Sequence, residues 1–268
     1  LSLSLKSPLR GEVIKYVICN VMIPSELPEL PWQKLASDLL EYRRNMYLVV
    51  TDYYSRYVEL AKLNSTTSLS IINHLKSMFA RHGIPVTLVT DNGPQYSSGV
   101  FEEFAREYGF THVTSSPRFA QGNGHVERAV QTVKSLLKKC SDPHLALLTY
   151  RSTPLEHGFS PAELLMARRL RTTVSIVPSQ LKPAVPDYTK LKAKDELIKE
   201  RQKRNFDHHR GVRELDPLIT GNKVWITDLK TYRNVKSNPQ TRSYVISTPT
   251  GQVRRNRRSL TKVPENTQ

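Results

Sequence analysis

The chain reads as an α/β layer fold with a mixed sheet, followed by a basic helix and a small β module. Three observations lead there. Early strand-like runs give way to alternating helical and extended segments. The helical segments carry apolar residues at spacings of three and four. From about residue 182 the composition turns polar and basic, and then short alternating runs resume.

Residues 1–29 read as a linker or remnant, Pro-rich from 24 (PSELPELP) where the chain enters the fold. WQKLASDLL holds the first strand. RRNMYLVVTDYYSRYVELAKL, rich in Tyr, Val and Leu, is a hairpin of strands with its bend at YSR. In SLSIINHLKSMFARHG the apolar positions 71, 72, 75, 78 and 79 predict a helix that Gly83 stops. The strand IPVTLVT then runs into Asp91-Asn92-Gly93-Pro94, ordinary turn chemistry. A helix over 99–109 turns Phe101, Phe104, Ala105 and Tyr108 inward, and FTHVTSSP is a further short strand.

After the flexible loop RFAQGNG, a strong helix begins in HVERAVQTVKSLLKK, and a second begins at Asp142-Pro143. SPAELLMARRLRT begins a third, with Ser160 and Glu163 forming a capping box. PAVPDY is a linker and TKLKAKDELIKERQKRNFDHHRG a polar, basic helix with little apolar face. Residues 216–268 form a small all-β module turning at Gly221-Asn222 and Thr250-Gly251, with Trp225 filling its core.

Lys and Arg outnumber Asp and Glu by 40 to 24, a net charge of +16, and residues from 182 onward hold 20 basic against 9 acidic side chains. That balance suits a polyanion, and nucleic acid is the commonest one. No apolar run is long enough to span a membrane. Two cysteines, Cys19 and Cys140, cannot build a disulfide framework and point to a reducing, intracellular compartment. The N-terminus lacks an initiator Met and a signal-peptide block, and reads as the cut end of a longer chain.

Three acids fall at suggestive places: Asp38 in the first strand, Asp91 just past a later strand, and Glu127 in a first helical turn. Asp91 is either a turn former or a ligand; Glu127 is either a dipole-favoured acid or a ligand. Val126, Val130, Val133 and Leu137 make the buried stripe of that helix, so Glu127, Gln131, Lys134 and Lys138 line the adjacent, more exposed edge. A carboxylate followed two turns on by a lysine can face a metal ion and a phosphate backbone together.

WQKLASDLLEYRRNMYLVVTDYYSRYVEL, GIPVTLVTDNGPQYSS, FAQGNGHVERAVQTVKSLLK and YRSTPLEHGFSPAELLMARRLRT, in that order, resemble the catalytic core of retroviral and gypsy-type retrotransposon integrases. The 35 residues between Asp91 and Glu127 match that family's D,D-35-E spacing. The resemblance implies a ribonuclease-H-like core over 30–181, a basic helical linker over 182–215 and a small DNA-binding β-barrel over 216–268. It makes Asp38, Asp91 and Glu127 the catalytic, metal-binding triad, with two Mg²⁺ or Mn²⁺ ions. It implies 3′-end processing and strand transfer of element DNA, homo-oligomers and a nuclear location. Asp52 and Glu59 fall where the family has no ligand and are expected to be structural. The family's upstream zinc module is absent here, since only Cys19 and no histidine precedes the core, so no zinc site is expected. Ala120 stands where the family usually has proline.

DNA-binding candidates are Gln121, Asn123 and Gly124 in the loop, Lys134 and Lys138 on the helix, and Arg254, Arg255, Arg257 and Arg258 in the tail. The loop could equally be a connector, and the arginines a solvated strand edge or a nuclear-entry signal. His208 and His209 lack cysteine partners and are not expected to bind metal. Two other readings remain: a ribonuclease-H-like nuclease that cuts without joining, and a non-catalytic DNA- or chromatin-binding protein derived from an integrase.

Overall fold

The computed structural model describes residues 24–114, 124–140, 142–210, 215–240, 243–249 and 251–263. Strands β1 (Lys34–Tyr42), β2 (Asn45–Asp52) and β3 (Val58–Leu63) pair antiparallel in sequence. Helix α1 (Ser68–His82) then crosses to β4 (Thr87–Thr90), which lies parallel to β1. Helix α2 (Gly99–Tyr108) crosses to β5 (Thr111–Thr114), parallel to β4. The sheet order is therefore β3-β2-β1-β4-β5, mixed as expected.

Local chemistry sets these limits. Thr67 accepts from the Ser70 N–H to start α1, and Gly83, at φ 97°, ends it. Ser98 caps α2, and Gly109 closes it in the left-handed region. Ile71, Ile72, Leu75, Met78 and Phe79 of α1, with Phe101 and Phe104 of α2, bury against Leu35, Leu48, Val50 and Leu88 on one face of the sheet. Because strand side chains alternate, Ala36, Leu40, Val49 and Val89 point to the other face. There they meet α3 (Gly124–Lys139) through Val126, Ala129, Val130, Val133 and Leu137, the expected stripe plus one alanine.

Helix α4 (Pro143–Ser152) starts at the Asp142 cap, and α5 (Pro161–Met166) starts at the complete Ser160–Glu163 capping box. The latter stops after six residues, because Ala167 adopts a left-handed conformation (φ 52°) and breaks the ladder. Helix α6 (Tyr188–Arg210) is long and polar, with Leu191 buried beside Tyr54 and Leu164. It docks on the core through Arg56–Asp195 (3.0 Å), Lys194 to the His157 carbonyl (3.0 Å) and Arg128 to Gln202 (2.8 Å).

A second sheet holds β6 (Lys223–Ile226), β7 (Thr231–Gln240), β8 (Ser243–Thr248), β9 (Gly251–Asn256) and β10 (Leu260–Lys262), in the order β10-β6-β7-β8-β9. Its core is Leu218, Val224, Ile226, Val235, Tyr244, Ile246 and Leu260. Trp225 does not belong to it. Val224 and Ile226 take the inward positions of β6, so the residue between them points the other way, where Trp225 lies half-buried against Tyr232 (ring centroids 4.6 Å). Among the described residues no helix is long and apolar enough to cross a membrane.

Candidate active site

The site follows from the register of two parallel strands. Ala36 of β1 pairs with Val89 of β4. Two residues further on come Asp38, still within β1, and Asp91, just past the end of β4, both on the face covered by α3. Glu127 projects from the first turn of that helix. Asp38 is half-buried and Asp91 exposed, because β4 ends at Thr90 and the chain turns away. The turn uses the Asp91 side chain, whose Oδ1 accepts from the Gly93 N–H at 3.1 Å. The Tyr96 and Ser97 N–H groups both donate to the Gly93 carbonyl at 3.0 Å. Asp91 thus shapes the turn and still faces the neighbouring carboxylate.

Asp38 is the electrostatic centre. Burial pushes its carboxyl above the ordinary range, the Leu39 N–H (2.8 Å to Oδ1) draws it back, Asp91 adds to the rise and Lys134 opposes it. Burial likewise raises Glu127, and Asp38 raises it further. So the structure brings Asp91, Glu127 and Lys134 within electrostatic reach of Asp38. Among the described residues no group of three or more His, Cys, Asp or Glu side chains is placed to hold a metal ion. The donor set still fits Mg²⁺, a hard cation that commonly takes one or two protein carboxylates and completes its shell with water and phosphate oxygens.

The other expected residues divide. Lys134 is half-buried beside Asp38, and Lys138 is exposed one turn along. Gly124 is the first residue of α3; Gln121 and Asn123 lie outside the described residues, as do the Arg258 and His209 side chains. In the tail, Arg254 Nε donates to Ser243 Oγ at 2.7 Å, and Arg255 pairs with Asp228 at 3.0 Å. Arg257 is buried and donates to the carbonyls of Asp216 (2.7 Å) and Leu260 (2.6 Å). Its guanidinium holds chain segments together, which corrects the expectation of a phosphate contact there.

Both rival acids are structural. Asp52 is fully buried and accepts from Tyr54 N, Ser55 N and Ser55 Oγ, shaping the bend before β3. Glu59 receives His82 (2.7 Å), Arg151 (3.0 Å) and Arg81 (3.5 Å). Sequence reasoning missed the polar side chains behind the acids, on the α1–α2 face. Ser37 Oγ and Tyr96 OH share a buried hydrogen bond of 2.8 Å, and Thr90 Oγ1 lies 2.9 Å from His112 Nε2. A histidine facing inward on a short strand was the one available signal.

Residues 28–119 match the family model described as the integrase core domain. Over that range the chain resembles an integrase core domain. The matched range contains Asp38 and Asp91; Glu127 lies beyond it. Over 202 residues, 71% of this chain, it is 30% identical to an uncharacterized protein of Caenorhabditis elegans. Over 162 residues, 55% of the chain, it is 28% identical to the Gag-Pol polyprotein of Walleye dermal sarcoma virus. The chain spans only 15% and 9% of the length of these two relatives. A chain of the simian T-cell lymphotropic virus intasome structure superposes with a TM-score of 0.61 at 18% identity, covering 93% of this chain and 84% of that one. That likeness is one of fold, and it extends past residues 28–119.

Proposed function

We propose that this chain is a retroelement integrase that trims the 3′ ends of element DNA and transfers them into target DNA. One observation carries the reading: Asp91, just past the carboxyl end of β4, and Glu127, on the facing helix, both interact electrostatically with Asp38 of β1. Ligands of open α/β sheets gather at such strand ends. The net charge of +16 suits a DNA partner.

In this reading Asp38, Asp91 and Glu127 hold two Mg²⁺ or Mn²⁺ ions. The metals, when bound, activate the attacking oxygen and neutralise charge on the leaving one. Lys134 and Lys138 bind the DNA backbone along α3, and the 121–124 loop handles the DNA end. Both steps are direct displacements at phosphorus, by water and then by the freed 3′-hydroxyl, so no serine or cysteine nucleophile is required. Residues 30–181 serve as the catalytic core, 182–215 as the linker and 216–268 as a DNA-binding barrel. The assembly is a homo-oligomer working in the nucleus.

A strand-transfer assay with a 3′-hydroxyl DNA end and Mg²⁺ or Mn²⁺ tests this. Joined product is expected, and Asp91→Asn or Glu127→Gln abolishes it while the protein stays folded. Cutting without joining would instead mark a nuclease, and DNA binding alone a repurposed binding protein.

A further inference from the structure

We propose that His112 is a positioning residue for the carboxylate site, acting through the Thr90 hydroxyl on the main chain that presents Asp91. The inference rests on the reading of Asp91 as a metal ligand and adds two residues that lie on the opposite face of the sheet.

The geometry comes from the β4–β5 ladder. Leu88 pairs with His112, so Thr90, two residues beyond Leu88, projects on the same side as the imidazole. Thr90 is fully buried, and its hydroxyl has two partners: Oγ1 donates to the Asp91 carbonyl at 2.7 Å and lies 2.9 Å from His112 Nε2. A hydroxyl has one proton to give. With that proton on the Asp91 carbonyl, Thr90 must accept from the ring, which makes His112 the Nε2–H tautomer. Phe101 of α2 packs on the imidazole from the core side, with ring centroids 4.8 Å apart. Burial also favours the neutral ring.

Asp91 needs such a hold. The ladder of β4 ends at Thr90, which pairs with Thr114, and among the described residues the side chain of Asp91 is tied forward, to the Gly93 N–H. Fixing the Asp91 carbonyl from behind sets the peptide plane just past the strand end. With it is set the direction in which the carboxylate leaves Cα toward Asp38. An apolar side chain at 112 would pack on Phe101 equally well; the hydrogen bond to Thr90 is what requires histidine.

The test uses the full chain and Mn²⁺ as the probe, titrated by calorimetry and by the electron paramagnetic resonance signal of free Mn²⁺. His112→Phe and the nearly isosteric Thr90→Val should each weaken Mn²⁺ binding by on the order of tenfold, the usual scale for lost support of a ligand. His112→Gln, which keeps a side-chain N–H, and Thr90→Ser, which keeps the hydroxyl, should stay within about threefold of wild type on the same scale. In wild type the ¹⁵N imidazole spectrum should show the Nε2–H tautomer. Unchanged Mn²⁺ affinity in folded Thr90→Val, or an Nδ1–H tautomer, overturns the proposal even if His112→Phe fails to fold. Asp91→Asn separates the two readings. If Asp91→Asn loses Mn²⁺ and Thr90→Val does not, positioning alone fails. If Asp91→Asn binds as wild type, both fail. If these affinities behave as expected but wild type joins no DNA, the integrase reading fails and the positioning role stands.

Discussion

Asp91, just past the end of β4, faces Asp38 on the neighbouring parallel strand β1 and adds to the rise that burial causes in its pKa. A site that concentrates negative charge in this way costs stability until a cation arrives.

The pH dependence of that cost has a definite sign. Burial and Asp91 raise the folded pKa of Asp38 above its ordinary 3.8, so the folded state binds the proton more tightly than the unfolded chain. Stability from this group is therefore lost as pH rises from 3.8 through the raised pKa. Without divalent cations, Asp38→Asn should melt above wild type at neutral pH, and the gap should close below 3.8. Added Mg²⁺ should raise the melting temperature of wild type more than that of the variant.

Glu59 behaves oppositely. Burial pushes its carboxyl up, but the His82 hydrogen bond and the Arg151 and Arg81 guanidinium groups outweigh it and hold the pKa below 4.5. Its contribution is present above 4.5 and lost as pH falls through the lowered value. Glu59→Gln should cost about 3 kcal/mol at neutral pH, since it strands partly buried cations. Urea unfolding followed by Trp32 fluorescence in a Trp225→Phe background reads this, and the difference should shrink below pH 4.5.

Asp195 joins α6 to the core, pairing with Arg56 at 3.0 Å and with Lys199 one turn along. Asp195→Ala leaves both cations without that carboxylate. Amide hydrogens over 191–202 should exchange faster by on the order of tenfold, while β1 and β4 keep their protection.

Lys134 and Arg257 should separate DNA binding from folding. Lys134→Ala should flatten the salt dependence of DNA affinity by roughly 0.9 log units per decade, one phosphate contact. Arg257→Ala should lower the melting temperature, because the Asp216 and Leu260 carbonyls lose their donor.

Much of this was legible in the chain because it depends on near neighbours. Thr67, Ser98, Asp142 and Ser160 cap their helices as their residue types require, and the Val126 to Leu137 stripe buries as its spacing requires. Trp225 was misread because periodicity assigns alternate sides without saying which side is the core; Val224 and Ile226 claimed it. The end of α5 at Met166 was invisible, because a left-handed alanine depends on what surrounds it.

By itself the sequence determined where the helices start, the alternation along each strand and the acids that could act. Only the tertiary structure decided which acids meet. Asp38 and Asp52 both lie on strands, yet the β1–β4 register sets Asp38 beside Asp91, while Asp52 is buried in its own bend. The same ladder logic joins Thr90 to His112. Strand pairing is a contact between segments far apart in the chain, so residue order gives the face of each side chain but not the neighbour it will find there.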